Sequence, residues 1–412
     1  MTASPPAWMY RWAGQNVSSG TSTRRRLAGS RRRLAGPAAA GLLLALIAGC
    51  GSTPAPGTPP PAPPAPPLTS SFSSTAGAGW AIVEMGGPAA QQENFWQLFA
   101  RPTGADPWRQ ATPAGVADNG GLVVASPGGG SLVTGFRPSQ DLTYSPLAAS
   151  TDNGTSWSPA GPLNAGLANV PDALAAGPGD ELIALTGSAA ELGQHLGASW
   201  ARLASASALA ATPVGKVCGV TGLTAVAFSG DTPMLGASCD RPGAVGILAH
   251  TGGAWRTTAP SGPVLPASLA REDIDVLRLI ATGSDVVALL RAGAGPDATL
   301  VAAWSGDGGT TWKVSDPLRI AGRQLRSTAV GPGWAVGVVL NGGRGETLAG
   351  PQSPSWQALP ALPQRASTLV LGPQVDAIAA SGSTFTAWRL GPSGGWSEAQ
   401  TVKITIPYGS SG

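Results

Sequence analysis

Short apolar runs recur along the chain between clusters of Gly, Pro, Ser and Asp. They include "AGWAIVEM" (78–85), "DELIALTG" (180–187), "SDVVALLR" (284–291) and "PGWAVGVVL" (332–340). Runs of this length, bounded by turn residues, read as β-strands. The clearest group is "LTAVAFS" (223–229), "PMLGASC" (233–239), "VGILAH" (245–250) and "WRTTA" (255–259), four strands in succession. A tryptophan closes each such group. Trp108, Trp157, Trp200, Trp255, Trp312, Trp356 and Trp396 are separated by 49, 43, 55, 57, 44 and 40 residues. A period of that size marks a repeat architecture, so the pattern predicts seven four-stranded units in an all-β chain. Their edge strands must be hidden by ring closure. "TVKITIP" (401–407) is expected to pair with "LTSSFSS" (68–74) or with other strands of the first unit.

Two of the tryptophans end nearly identical octapeptides, "STDNGTSW" (150–157) and "SGDGGTTW" (305–312). Asp152 and Asp307 stand where a carboxylate can accept hydrogen bonds from the amides of its own turn, and Gly154 and Gly309 where a turn demands positive φ. Trp157 and Trp312 can then anchor the returning strand in apolar surroundings. With Ser150 and Ser305 these residues resemble the Asp-box, or BNR repeat, of sialidase-like β-propellers. The resemblance implies a seven-bladed β-propeller of four-stranded blades over residues 70–410. It also implies that the boxes are structural and lie on the face away from the ligand site. "HLGASW" and "HTGGAW" are degenerate copies in which His195 and His250 take the place of the Asp, where an imidazole can bond a turn amide.

Composition sharpens this picture. The 59 Gly and 39 Pro among 412 residues favour short strands over long helices, and a hydrophobic content of 42% supplies a core. The pI near 9.0 is misleading. Seven of the 25 Lys and Arg fall in the first 50 residues, which hold no acid, leaving 18 against 22 Asp and Glu in the remainder. The basic charge belongs to the leader, so the sequence gives no nucleic-acid footprint. Arg24–Arg26 and Arg31–Arg33 precede an apolar stretch (38–47) and then Ile47-Ala48-Gly49-Cys50, the order of an export signal. The end resembles a bacterial lipobox, which makes 1–49 a lipoprotein signal peptide and Cys50 the lipidated residue. An ordinary secretory signal is the other reading. "TPAPGTPPPAPPAPP" (53–67) makes 50–69 an extended Pro-rich tether. The protein is then expected outside the cytoplasmic membrane, lipid-anchored at the cell envelope and monomeric. In that oxidising compartment Cys218 and Cys239 point to a disulfide, two buried thiols being the alternative.

Catalytic chemistry is sparse. Sialidases of the resembling family use a Tyr nucleophile with a Glu, an Asp acid/base and three Arg. Beyond the leader the only tyrosines are Tyr144 and Tyr408, neither at the expected place, and the family's early Arg motif has only the echo "GFRPSQ" around Arg137. No metal-ligand set, phosphate loop or Ser-His-Asp arrangement stands out, so no metal and no cofactor are expected. Asp273 and Asp275 form the densest acidic cluster, a pair that could serve glycoside hydrolysis or simply a solvated loop. Arg137, Arg241, Arg291 and Arg344 all fall near the hairpin joining the second and third strands of a blade. A bidentate Arg grips carboxylate or phosphate, so these four define a candidate anion-accepting patch, ordinary turn charges being the alternative. The expected function is a non-catalytic binding or scaffolding module for glycan, peptide or protein. A divergent sialidase-like glycoside hydrolase is the alternative.

Overall fold

The structure is a computed structural model and describes residues 69–85, 95–113, 122–136, 147–158, 171–194, 199–260 and 264–404. Cys50, the signal and tether segments, Arg137, Tyr144, His195 and Tyr408 lie outside them. Unit 1 holds β1 (Thr69–Ser73), β2 (Gly79–Met85), β3 (Phe95–Arg101) and β4 (Arg109–Gln110). Unit 2 holds β5 (Leu122–Gly128), β6 (Ser131–Phe136) and β7 (Leu147–Ser150). Unit 3 holds β8 (Ala173–Ala176), β9 (Glu181–Thr186), β10 (Ala189–Gln194) and β11 (Ala201–Ser205). Unit 4 holds β12 (Val220–Ser229), β13 (Thr232–Cys239), β14 (Gly246–Thr251) and β15 (Ala254–Thr257). Unit 5 holds β16 (Ile274–Thr282), β17 (Asp285–Ala292) and β18 (Thr299–Ser305), with β19 (Lys313–Val314) and β20 (Leu318–Arg319) both paired to β18. Unit 6 holds β21 (Leu325–Val330), β22 (Val336–Leu340), β23 (Arg344–Leu348) and β24 (Gln357–Ala358), and unit 7 holds β25 (Ala366–Leu371), β26 (Val375–Ser381), β27 (Thr384–Leu390) and β28 (Trp396–Lys403). Within each unit successive strands pair antiparallel.

Hydrophobic residues on the two faces of each unit bury against its neighbours. Units 3 and 4 share one cluster (Ile183 and Leu185 with Val226 and Leu235), units 4 and 5 another (Ile247 and Met234 with Val276 and Leu290). The series continues between units 5 and 6, 6 and 7, 1 and 2, and 2 and 3. It includes units 7 and 1, where Phe99 stacks on Phe385 with ring centroids 4.1 Å apart. Each periodic tryptophan enters a different cluster: Trp255, Trp312, Trp356, Trp396, Trp108, Trp157 and Trp200 wedge between their own unit and the preceding one. The indole spacing seen in the sequence is therefore the spacing of interfaces. This arrangement is a β-propeller.

Closure differs from the expected pairing. Thr401–Lys403 continue β28, which pairs with β27 inside unit 7. β1 instead pairs in parallel with β21 of unit 6, in the register Thr69↔Ser327, Ser71↔Ala329. Small side chains allow this approach. One face of the β1–β21 pair presents Thr69, Ser71 and Ala329 to β25 of unit 7: the Ser71 hydroxyl donates to Leu369 O at 2.5 Å and Thr69 meets Thr368. The other face presents Thr328 and Phe72 to unit 5. The first strand of unit 7 thus lies behind the pair.

The strand-only expectation also misses two short helices joining unit 3 to unit 4, α1 (Ala206–Ala211) and α2 (Pro213–Cys218). Their signals are local. Ser205 caps α1 by accepting from Ala208 N, and Thr212 caps α2 by accepting from Gly215 N, with Pro213 in the first turn where its missing N–H costs nothing. At Gly215 a Cβ would come 1.9 Å from Leu209 O, so only glycine lets the two helices turn this tightly.

Candidate functional site

The strand order sorts the loops onto two faces. Hairpins joining first to second and third to fourth strands share one face, as Gly230 N bonding Gly283 O and Gly308 N bonding Ser284 O show. Both octapeptides lie there. In the first, Asp152 Oδ1 accepts from the Ser150 hydroxyl (2.8 Å) and the Thr155 and Ser156 amides (2.9 Å each), and Oδ2 from the Ser156 hydroxyl (2.6 Å). The second repeats this around Asp307 with Ser305, Thr310 and Thr311 at 2.8, 3.0 and 2.8 Å, and the Thr311 hydroxyl at 2.6 Å. Gly154 (φ 76°) and Gly309 (φ 91°) adopt left-handed backbone. Each also abuts the preceding unit, where a Cβ would come 2.7 Å from Ala111 or 2.9 Å from Thr258. Trp312 Nε1 donates to Gly309 O and to Thr258 O of unit 4. These turns staple their own hairpin and seat it on the neighbour.

The hydroxyl and amide donors, Ser156 first for Asp152 and Thr311 first for Asp307, hold both carboxyls below the usual range, Asp307 at about 2. A depressed folded pKa contributes stability that is complete above the unfolded value near 3.8 and is lost as pH falls through the folded one. Acid titration is therefore expected to loosen the Asp307 turn between about pH 4 and pH 2, and the Asp152 turn at still lower pH. Amide exchange at Thr310 and Thr311 measures this. Equal protection at both pH values would contradict it. In unit 4 the corresponding turn is different: Gly252 (φ 59°) and Gly253 (φ 76°) form a two-residue hairpin, and His250 lies against its cross-strand partner Trp255 at 4.9 Å rather than on a turn amide. Gly-Gly satisfies the tight turn by itself, so no side-chain acceptor is needed.

The opposite face carries the hairpins between second and third strands together with the connections between units. Gly243 N bonds Glu272 O, and Gly293 N bonds Asp273 O. The α1–α2 insertion sits on this face. Cys218, at the end of α2, forms a disulfide with Cys239 at the end of β13, Cα–Cα 5.2 Å. Arg241 N also bonds Cys218 O, and Asp240 N bonds Gly219 O. The insertion and the adjoining hairpin are thus one braced ridge. Its buried side holds Leu209 and Cys218 in the unit 3–4 core. Its outer side exposes Lys216 and Val217, the latter 59% exposed, with exposed Arg241 in the hairpin. Sequence reading singled out Arg241 but not Lys216 or Val217, whose importance arises only from the ridge.

The other candidate residues are placed apart in role. Arg291 and Asp275 face each other across β17 and β16 as a buried ion pair at 2.5 Å, and Asp273 is exposed two residues earlier, just before β16. Arg344 pairs at 2.5 Å with Glu346, whose side chain is buried. Asp273 and Asp275 therefore stand in different surroundings, one exposed and the other buried and paired with Arg291. Cross-strand pairing recurs elsewhere, Arg202 with Glu191 and Arg389 with Asp376. Among the described residues no group of three or more His, Cys, Asp or Glu is placed to hold a metal ion.

No family model matches the chain, and no curated protein matches it. Among solved structures, YCF48 bound to D1 peptide is 15% identical, with 76% of this chain and 88% of that chain covered at a TM-score of 0.43. A variant of the Aleuria aurantia lectin in complex with Fucα1-6GlcNAc is 13% identical, with 83% and 97% covered at 0.39. A putative 6-phosphogluconolactonase from Bacteroides uniformis is 12% identical, with 79% and 96% covered at 0.47. The propeller architecture of this chain rests on its own strand pairing and interface clusters.

Proposed function

We propose that the chain is an exported lipoprotein of the bacterial cell envelope whose seven-bladed propeller, residues 70–410, is a monomeric, non-catalytic binding module for a glycan, peptide or protein. The ridge built from α1, α2 and the 239–245 hairpin carries this reading. A disulfide-braced surface that keeps Val217 exposed beside Lys216 offers a rigid apolar contact next to the exposed charges of Arg241 and Asp240. Contact surfaces of this kind bind with little ordering cost. The buried carboxylates Glu191, Asp275, Glu346 and Asp376 support the non-catalytic part, since each is held by an arginine. The paired Ser-x-Asp-x-Gly turns support kinship with sialidase-like Asp-box repeats, as a scaffold. The Arg triplets, apolar stretch and Cys50 support export and lipidation, with residues 50–69 as the spacer.

The test is retention on glycan and peptide arrays by wild type and a K216E/V217D variant. Binding through the ridge predicts about a tenfold loss or more. Retention unchanged by the double substitution would remove the ridge from the reading. Turnover of a fluorogenic sialoside, abolished by Tyr144→Phe or Arg344→Ala, would replace the binding module by a sialidase-like hydrolase. Palmitate labelling lost in Cys50→Ala tests the anchor separately.

A further inference from the structure

The inner strand of unit 5 contains a β-bulge between Val276 and Arg278. Its effect is directional. Val276 and Leu279 pack into the unit 4–5 cluster, whereas Leu277 and Ile280 pack towards unit 6. The extra residue breaks the alternation, so Arg278 follows Leu277 onto the unit 6 side instead of facing unit 4. From there its guanidinium crosses to the parallel pair closing the ring. Nη1 donates to Thr328 Oγ1 of β21 at 2.8 Å, and Nη2 to Ser71 O of β1 at 3.4 Å. Its Cζ lies 5.7 Å from the centre of the Trp80 ring on β2. The guanidinium thus touches units 1, 5 and 6 at once.

This cation is handled differently from the two fully buried arginines among the described residues. Arg101 and Arg291 each meet a carboxylate at 2.5 Å. Arg278 has no carboxylate among the described residues, only a hydroxyl, a carbonyl and an aromatic face. A guanidinium offers five N–H donors, and two are engaged here. Burial is the sole cause acting on its pKa, holding it down to about 10, so the charge remains at neutral pH. An uncompensated buried charge is costly. Yet the residue is only partly buried, so part of it remains accessible to solvent and its ions. Nearby, the Trp80 indole N–H is buried without an acceptor.

We propose that Arg278 forms an anion site, taking one small monovalent anion, a halide or a carboxylate group, against the guanidinium between β1, β16 and β21. The site is separate from the outer ridge. The full exported domain is tested in two ways. First, crystals of wild type soaked in bromide are expected to show an anomalous peak at hydrogen-bond distance from the Arg278 nitrogens. Second, thermal unfolding is followed in increasing chloride or formate, with a bulky organic anion holding ionic strength constant. A saturable rise of about 2 °C or more is expected in wild type and not in Arg278→Gln. Saturation at lower chloride than formate assigns an inorganic ion, and the reverse order assigns the carboxylate of a ligand. No bromide peak, or the same salt response in both proteins, overturns the proposal and leaves water and dipoles as the compensation. If Arg278→Gln does not fold, the bromide map on wild type decides.

Discussion

Asp376→Ala is expected to lower the unfolding free energy by about 3–5 kcal/mol, the cost of leaving a buried charge without its partner. Asp376 receives Arg101 of unit 1 at 2.5 Å on one oxygen and Arg389 of its own unit at 3.1 Å on the other. The Arg101 and Asp376 side chains are 2% and 1% exposed. Arg101 also donates to Gly77 O at 3.0 Å and lies 4.5 Å from the centre of the Trp108 ring. The guanidinium cannot relax into water without opening the interface between the first and last units. That interface closes the ring, with Gln400 bonding both the amide and the carbonyl of Trp108 beside it. A loss of this size is a large share of the roughly 5–15 kcal/mol by which a native protein is stable. Urea unfolding with linear extrapolation checks it. A loss below about 1 kcal/mol would mean that solvent reaches Arg101 after all. Replacing both partners by apolar residues should recover much of the loss, because neither charge is then stranded.

Removing the disulfide is the second large effect. Cys218 and Cys239 are 21 residues apart and almost fully buried. Cross-linking a loop of that length restrains the unfolded chain by about 3 kcal/mol. Replacing both cysteines by alanine should lower stability by that order, and wild type under reducing conditions should fall to the same midpoint. The consequence reaches the binding face. Without the bond, the ridge retains only the Cys218 and Gly219 carbonyls as acceptors from the hairpin. Hydrogen exchange across 206–218 should then speed up while the unit 5 strands keep their protection. Uniform loss of protection, or an unchanged midpoint, would refute a local brace.

Much of the architecture was legible because it is local and repeated. Trp157 and Trp312 follow a turn whose Asp carboxylate and all of its donors lie within eight residues, so the octapeptide itself specifies the local geometry. The strand groups were legible for the same reason: each antiparallel unit is made from one continuous segment. Cys218 and Cys239 were readable as a pair from their number and setting. The α1–α2 insertion left weaker signals, Ser205, Thr212 and Pro213, which apolar strand patterning outweighed. The ion pairs of Arg291 and Arg344 were not legible, because nothing in a linear run shows that Asp275 lies opposite one and that Glu346 shares its side with the other.

The sequence by itself determined the repeat, the strand-rich character, the stapled turns and the cysteine pairing, all set by residues close together in the chain. Tertiary structure alone decided which distant strands meet: β1 with β21, Arg101 with Asp376, and Arg278 with Ser71 and Thr328. Those contacts join positions from 50 to 275 residues apart. Small hydroxyl residues permit them, but similar residues occur throughout the chain. Only packing the apolar interfaces between the units all at once selects the register in which they meet.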